Sequence, residues 1–436
     1  MRIKTKILLG ALFLSTSVSA YDWESDLQHR LQYDFTESRE SVVDYIRRYI
    51  PHVTEEKIAQ WETSGALENM EIDGQKRYFR YAARNLFRID PSCQRIWDKA
   101  NPSSLSARSI VCMRNTPQII RDAPFAENHI AQARRIRVTY SLTVDPDVVP
   151  AGQTIRCWLP FPRRDTPRQT DVELLSASEE KYVMAPEKAP HSTIYMEHTA
   201  QQGEPTKFQI QFEFTAHGEW HELSMPDAYD KKSKLYKTYT AERKDHIIFT
   251  PELRALADSL TQGLENPVEK ARAIFTYIDE NFPWASAREY STIENIPMYV
   301  FKNRHGDCGQ KTLLLLTLCR ICGIPAQWES GFQVPPGGVN LHDWGKLYFE
   351  GYGWVPVDQS YGISHYARTE QDRMFYLGGI DSWRMIVNSD YGQPLVPKKK
   401  YPRSETVDFQ RGEVEWKGGN IYFDQWDWNI DVEYID

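Results

Sequence analysis

Three residues in the second half of the chain have the types that carbonyl chemistry needs: Cys308, His342 and Asp358. Cys308 stands in "HGDCGQKTLLLLTLCR", where Asp307 can cap a helix and no proline interrupts the apolar run that follows. A cysteine in a first helical turn faces unpaired backbone N–H groups and the positive end of the helix dipole. Both favour the thiolate, and such sites bring a thiol pKa down to about 3.5–7.5. The neighbouring glycines, Gly306 and Gly309, would let a substrate backbone approach closely. Taken alone, the cysteine is more readily a small core residue. Its reading as a nucleophile depends on a base.

His342 supplies that base. It follows the Pro- and Gly-rich "PPGGVN" and opens a strand-like run, "HDWGKLYFE". A histidine where a loop meets a strand can sit near a helix start and take a proton from a thiol. Asp358 ends "GWVPVD", where an acid among valines needs a partner and an imidazole N–H is a suitable one. Strands joined by the turn "EGYG" would place Asp358 opposite His342. A Cys–His–Asp set attacks a carbonyl and forms a thioester acyl-enzyme. Water as acceptor gives a hydrolase of peptide, isopeptide or glycan-linked amides. A lysine amine gives a cross-linking transferase.

The elements that must position these residues follow from the hydrophobic rhythm. Residues 21–130 read as mostly helical, with three-and-four spacing in "SVVDYIRRYI" and "ALENMEIDGQKRYFRYAARNLFRI". Residues 131–225 alternate instead, in "RIRVTYSLTV", "QTIRCWLPFP" and "TKFQIQFEFTAHGEW", which predicts a β-sandwich-like domain. Residues 226–375 hold two helices, "TPELRALADSL" and "NPVEKARAIFTYIDENF", then the cysteine helix and the strands bearing His342 and Asp358. Residues 376–436 alternate again and predict a β-rich extension. The fold class is therefore α+β. With 436 residues, two to four units are expected.

In order and spacing, "GDCG", "LLLLTLCRICGIPAQ", "HDW" and "GWVPVDQSYG" resemble the transglutaminase-like superfamily, over about residues 250 to 365. The resemblance implies a papain-like core in which Cys308 is the nucleophile, His342 the base and Asp358 its orienter. It also implies a cleft near Gly306, Gly309 and Trp344, and an oxyanion donor at about Trp284, beside the Cys308 backbone N–H. Two positions depart from the family pattern. "HDW" has an acid where a small residue is common, and "DQS" replaces a proline-containing turn.

Composition narrows the setting. Arg2, Lys4 and Lys6, the apolar "ILLGALFL" and the small-residue "STSVSA" form a signal-peptide pattern, cut after Ala20, with too few apolar residues to span a membrane. The expected protein is exported, periplasmic or extracellular. Loss of those three cations moves the formal charge from -8 to -11, which disfavours nucleic acid. The expected partner is a peptide or protein amide. Cys93 and Cys112 bracket a loop-like stretch and are the disulfide candidates, closing it for roughly 3 kcal/mol. No second CxxC or HxxxH pair supplies ligands for a metal, no calcium loop is present, and no cofactor is called for. The 13 tryptophans raise sugar processing, but no paired acidic site accompanies them. A non-catalytic peptide- or glycan-binding module that keeps the triad is the competing class.

Overall fold

In the N-terminal unit, side-chain caps decide where helices begin. Ser38, Thr54, Asp90 and Ser106 each accept a backbone N–H, opening the helices Arg39–Arg47, Glu55–Thr63, Pro91–Ala100 and Ala107–Asp122. One stretch read as helical is not. Asp73 and Gly74 both take positive φ, 53° and 73°, and turn Asn69–Ile72 back onto Gln75–Tyr78 as a hairpin. A two-residue Asp-Gly turn of this kind overrides the helical spacing around it, and the helix resumes only at Ala82–Ile89. The unit encloses its own core, including Ile46, Ile58, Trp61, Tyr78, Phe79 and Leu86.

The computed structural model describes residues 22–102 and 105–435; the expected signal peptide lies outside them. Among the described residues no helix is long and apolar enough to cross a membrane.

Two antiparallel five-stranded sheets follow, as the alternation requires. Ile130–Val144 and Thr206–Trp220 pair along most of their length, and every second residue of the latter is buried. Thr154–Pro160 pairs with Thr193–Thr199 in the second sheet. Side chains of both, among them Tyr140, Trp158, Phe208 and Phe212, share one core.

The region that carries Cys308, His342 and Asp358 combines a buried helix with a four-stranded antiparallel sheet. The helix Cys308–Ile321 is buried at every residue from Gly309 to Arg320, which explains its almost uninterrupted apolar sequence. Some of its buried polar side chains find carbonyl partners, while Gln310 Nε2 and Thr312 Oγ1 have none among the described residues. Thr317 donates to the Leu313 carbonyl, and Arg320 to the carbonyls of Ala326 and Ala241. The sheet runs in the order Gly353–Val357, Asn340–Phe349, Ala326–Gln333, Arg384–Asn388. Helices Pro251–Thr261 and Pro267–Asn281 pack on the buried helix through Leu253, Ala257, Ile274 and Phe275.

The tail does not build a sheet of its own. Arg384–Asn388 joins the four-stranded sheet beside Ala326–Gln333. Glu413–Trp416 pairs with Thr154–Pro160, and Trp426–Tyr434 with Ile130–Val144. The tail thus adds strands both to the sandwich and to the four-stranded sheet.

The candidate bridge between Cys93 and Cys112 is not formed. Both are free and buried, in two separate cores, and all six cysteines of the chain are thiols. The physical reason is that each fills apolar space on a different unit. Denaturation without reductant should therefore expose six titratable thiols per chain. A count of four would restore a bridge.

Candidate active site

Cys308 is the first residue of its helix, and the cap beneath it is complete. Asp307 accepts the Gln310 N–H at 3.0 Å, while the Gln310 side chain accepts the Asp307 N–H at 3.3 Å. Tyr290 also donates its hydroxyl to Asp307, at 2.6 Å. The segment "NFPWASA" is fastened to this loop by backbone bonds between Ala285 and Gly306 and between Gly306 and Pro283. That attachment leaves Trp284 40% exposed, on the wall of a cleft of about 320 Å³ that also contains Cys308. Trp284 is thus a cleft residue and no part of the core. The Arg88 guanidinium lies 4.7 Å from its ring centre.

The pleat of Asn340–Phe349 divides the next two side chains. Gly345 and Leu347 face the buried helix, where a Cβ on Gly345 would come within 2.9 Å of Leu316. Asp343 shares that face, and Cys308 Sγ donates to its Oδ2 at 3.4 Å. His342 turns the other way. Its Nε2 meets Asp358 Oδ2 at 2.7 Å, so the two side chains meet although their strand positions are not directly opposed as the sequence spacing suggested. The strand register sets Gly345 against Val357, so Asp358 continues beside Trp344, diagonal to His342. Among the described residues no hydrogen bond joins Cys308 to His342, and none is made to His342 Nδ1.

Electrostatics separate the two carboxylates sharply. Burial alone would raise Asp358, but His342 and Arg384 outweigh it and hold its pKa below the ordinary carboxylate range. Arg384 Nη1 lies 2.9 Å from the same oxygen that His342 uses, and Arg384 is itself held by Asp381 at 2.7 Å. Burial lowers the pKa of His342, Asp358 opposes that shift, and Arg384 adds to it. Asp343 behaves oppositely. Burial, Asp408 and Asp307 push it well above its usual value. Burial also raises Asp307 to about 6.

These carboxyls correct the expectation of a low-pKa thiol. Burial, then Asp343 and Asp307, push Cys308 well above an ordinary cysteine, although the Asp343 backbone N–H acts the other way. The helix start is present, but its favourable dipole is outweighed by desolvation and two acids.

Three cleft candidates are also placed differently. Gly306 and Gly309 are needed for packing. A Cβ on Gly306 would meet Gln310 at 3.1 Å, and one on Gly309 would come 2.6 Å from Asp343 Oδ2. Trp344 is fully buried on the far face, donating to Glu329 at 2.6 Å beneath Arg384. The cleft walls come instead from Tyr81, from 284–290 and from 404–411. Arg411 donates to both Glu289 oxygens at 3.0 and 2.8 Å, joining two of those walls. Asp343 had a sequence signal in the acid of "HDW". Arg384 and Arg411 had none, because long-range strand pairing brings them in. Among the described residues no group of three or more His, Cys, Asp or Glu side chains is arranged to hold a metal ion.

Residues 254–359 match the model of the transglutaminase-like superfamily. Over 134 residues the chain is 25% identical to the uncharacterised protein YebA of Bacillus subtilis, a match covering 27% of this chain and 18% of that protein's length. A candidate cysteine protease from Cytophaga hutchinsonii is similar over 70% of this chain and 92% of that one, with 13% identity and a TM-score of 0.44. The periplasmic domain of TgpA from Pseudomonas aeruginosa is similar over 57% of this chain and 91% of that one, with 14% identity and a TM-score of 0.29. The similarity to the transglutaminase-like superfamily thus falls on residues 254–359, the segment that carries Cys308, His342 and Asp358.

Proposed function

We propose that this chain is an exported acyl-transfer enzyme that forms a thioester on Cys308 and hydrolyses peptide, isopeptide or related amide bonds. The observation that carries the reading is the placement of Cys308 at a helix start on the cleft, against the strand step that bears the buried His342–Asp358 pair. Asp358 occupies Nε2, so Nδ1 is the nitrogen left to receive the thiol proton. Cys308 points at the neighbouring residue, Asp343, in the resting arrangement. His342 lies on the opposite face of that strand, so bringing sulfur and imidazole together takes a rearrangement of the strand end as well as of the Cys308 side chain, and catalytic hydrogen bonds are commonly loose before substrate binds. The thiolate then attacks the carbonyl carbon, the Cys308 backbone N–H is a donor to the oxyanion, and the imidazolium returns its proton to the leaving amine.

The rim of the cleft supports water as acceptor. Residues 333–340, the "QVPPGGVN" loop before His342, add little to that rim, since Gly337 lies against Ala107 and Arg108 of the N-terminal unit and only Asn340 reaches the cleft. The walls that do form it are tied together at Glu289 by Arg411 and Arg80. Such a closed rim suits one chain-like amide better than two separate substrates. Glutamine- and amide-containing peptides should be converted mainly to the free acid, even with a small primary amine present at about millimolar concentration. Product recovered chiefly as amine adduct would replace hydrolysis by transglutamination. No conversion by wild type, with Cys308→Ala indistinguishable from it, would leave a binding module.

A further inference from the structure

The acid beside the nucleophile has not been used by the reaction above. Asp343 is 3% exposed and is held in place from three directions. Its Oδ2 accepts the Cys308 thiol, and the missing Cβ of Gly309 lets it sit on the helix start. Its Oδ1 accepts the Gln410 side-chain N–H at 2.8 Å, and that amide also reaches the Gly331 and His342 carbonyls. Its carboxyl adjoins that of Asp408, which no side-chain cation reaches within hydrogen-bond distance among the described residues.

The charged and titratable groups facing Asp343 come from every element around it. Asp307 and Cys308 belong to the helix start, with Lys311 one turn further on. Tyr290 faces it from the preceding loop, and Asp408 from the tail, with Glu405 and Arg411 behind Asp408. His342 is its neighbour on the strand. The immediate shell is therefore two acids, a thiol and a phenol, and two adjacent carboxyls in such a place cannot both ionise cheaply.

We infer that Asp343 is a positioning residue that sets the working pH of Cys308, releasing the thiol for reaction only while the Asp343–Asp408 pair holds a proton. This rests on Cys308 being the nucleophile. With Asp343 ionised, its Oδ2 accepts the S–H bond and the proton stays on sulfur. With Asp343 protonated, its O–H donates to sulfur, and the thiol proton passes to His342 Nδ1. One proton moves from sulfur to nitrogen, and the carboxyl proton stays where it is. The acid that interrupts the family pattern at "HDW" thereby gives this enzyme an alkaline limit that a small residue there would not.

The test is the rate of iodoacetamide labelling of Cys308 against pH, read by mass spectrometry with no substrate present. Wild type should lose reactivity on the alkaline side, where an ordinary thiol gains it. Asp343→Asn keeps the Oδ1 acceptor and places an N–H₂ donor toward sulfur, so it should abolish that fall. Near pH 8.5 it should label about tenfold faster than wild type, a factor equal to one pKa unit. Asp408→Asn should move the fall to lower pH, because Asp343 then loses its proton more easily. A purely structural role would shift neither limb in these opposite senses, and melting curves of both variants identify any that fail to fold. Superimposable profiles for wild type and a folded Asp343→Asn, or an unmoved fall in Asp408→Asn, overturn the inference. Normal pH behaviour of labelling with no amide turnover by any variant would instead sink the hydrolase reading alone.

Discussion

Replacing His342 with alanine is expected to reduce turnover of an amide substrate by about 10²–10⁴-fold while leaving the chain folded. The loss arises because the proposed reaction has His342 as its proton acceptor and the acids around Cys308 do not replace it. Asp343 touches the sulfur, but burial and Asp408 make it a group that keeps protons. The fold should survive, since Asp358 would keep Arg384 at 2.9 Å and the Ser360 and Tyr361 N–H groups at 3.0 Å each. Single-turnover kinetics should show slow acylation with no accumulated thioester. A His342→Ala protein with wild-type turnover would remove His342 from the mechanism, whatever the reactivity of Cys308.

Replacing Asp358 with alanine should act first on stability. Its carboxylate is fully buried and serves His342, Arg384 and two backbone N–H groups at once. Removing one partner of a buried charge pair leaves the other uncompensated, which costs about 3–5 kcal/mol. Arg384 would retain only Asp381, and His342 would lose the bond that fixes its tautomer. The pH dependence has a definite sign. The folded pKa of Asp358 lies below its unfolded value, so its contribution is fully present above about pH 4 and is lost as pH falls through the folded value. Urea unfolding should therefore show a wide gap between wild type and Asp358→Ala at neutral pH that narrows on acidification. A gap under about 1 kcal/mol at neutral pH would mean that Arg384 and His342 are satisfied without this carboxylate. Activity should fall less steeply than in His342→Ala among the molecules that remain folded, because an imidazole without its orienter is still a base.

What the sequence determined by itself was local. The Asp307 cap, the apolar run and the absence of proline are enough to begin a helix at Cys308, and two strand-like runs around a glycine turn are enough to pair His342 with Asp358. The α+β class and the sandwich were legible for the same reason, since periodicity reports on neighbours close in the chain. The helical reading across residues 69–78 failed because a two-residue turn outweighs spacing. The character of the site came from tertiary structure. Strand pleat decided that Asp343, and not His342, meets the resting thiol. Burial then reversed the thiol pKa expected from the helix start, because taking charge out of water beside two acids costs more than a dipole returns. Long-range pairing brought Arg384 to Asp358 and carried residues 404–411 to the cleft. No spacing rule reaches that far: contacts between segments so distant in the chain depend on how sheets and helices share one core.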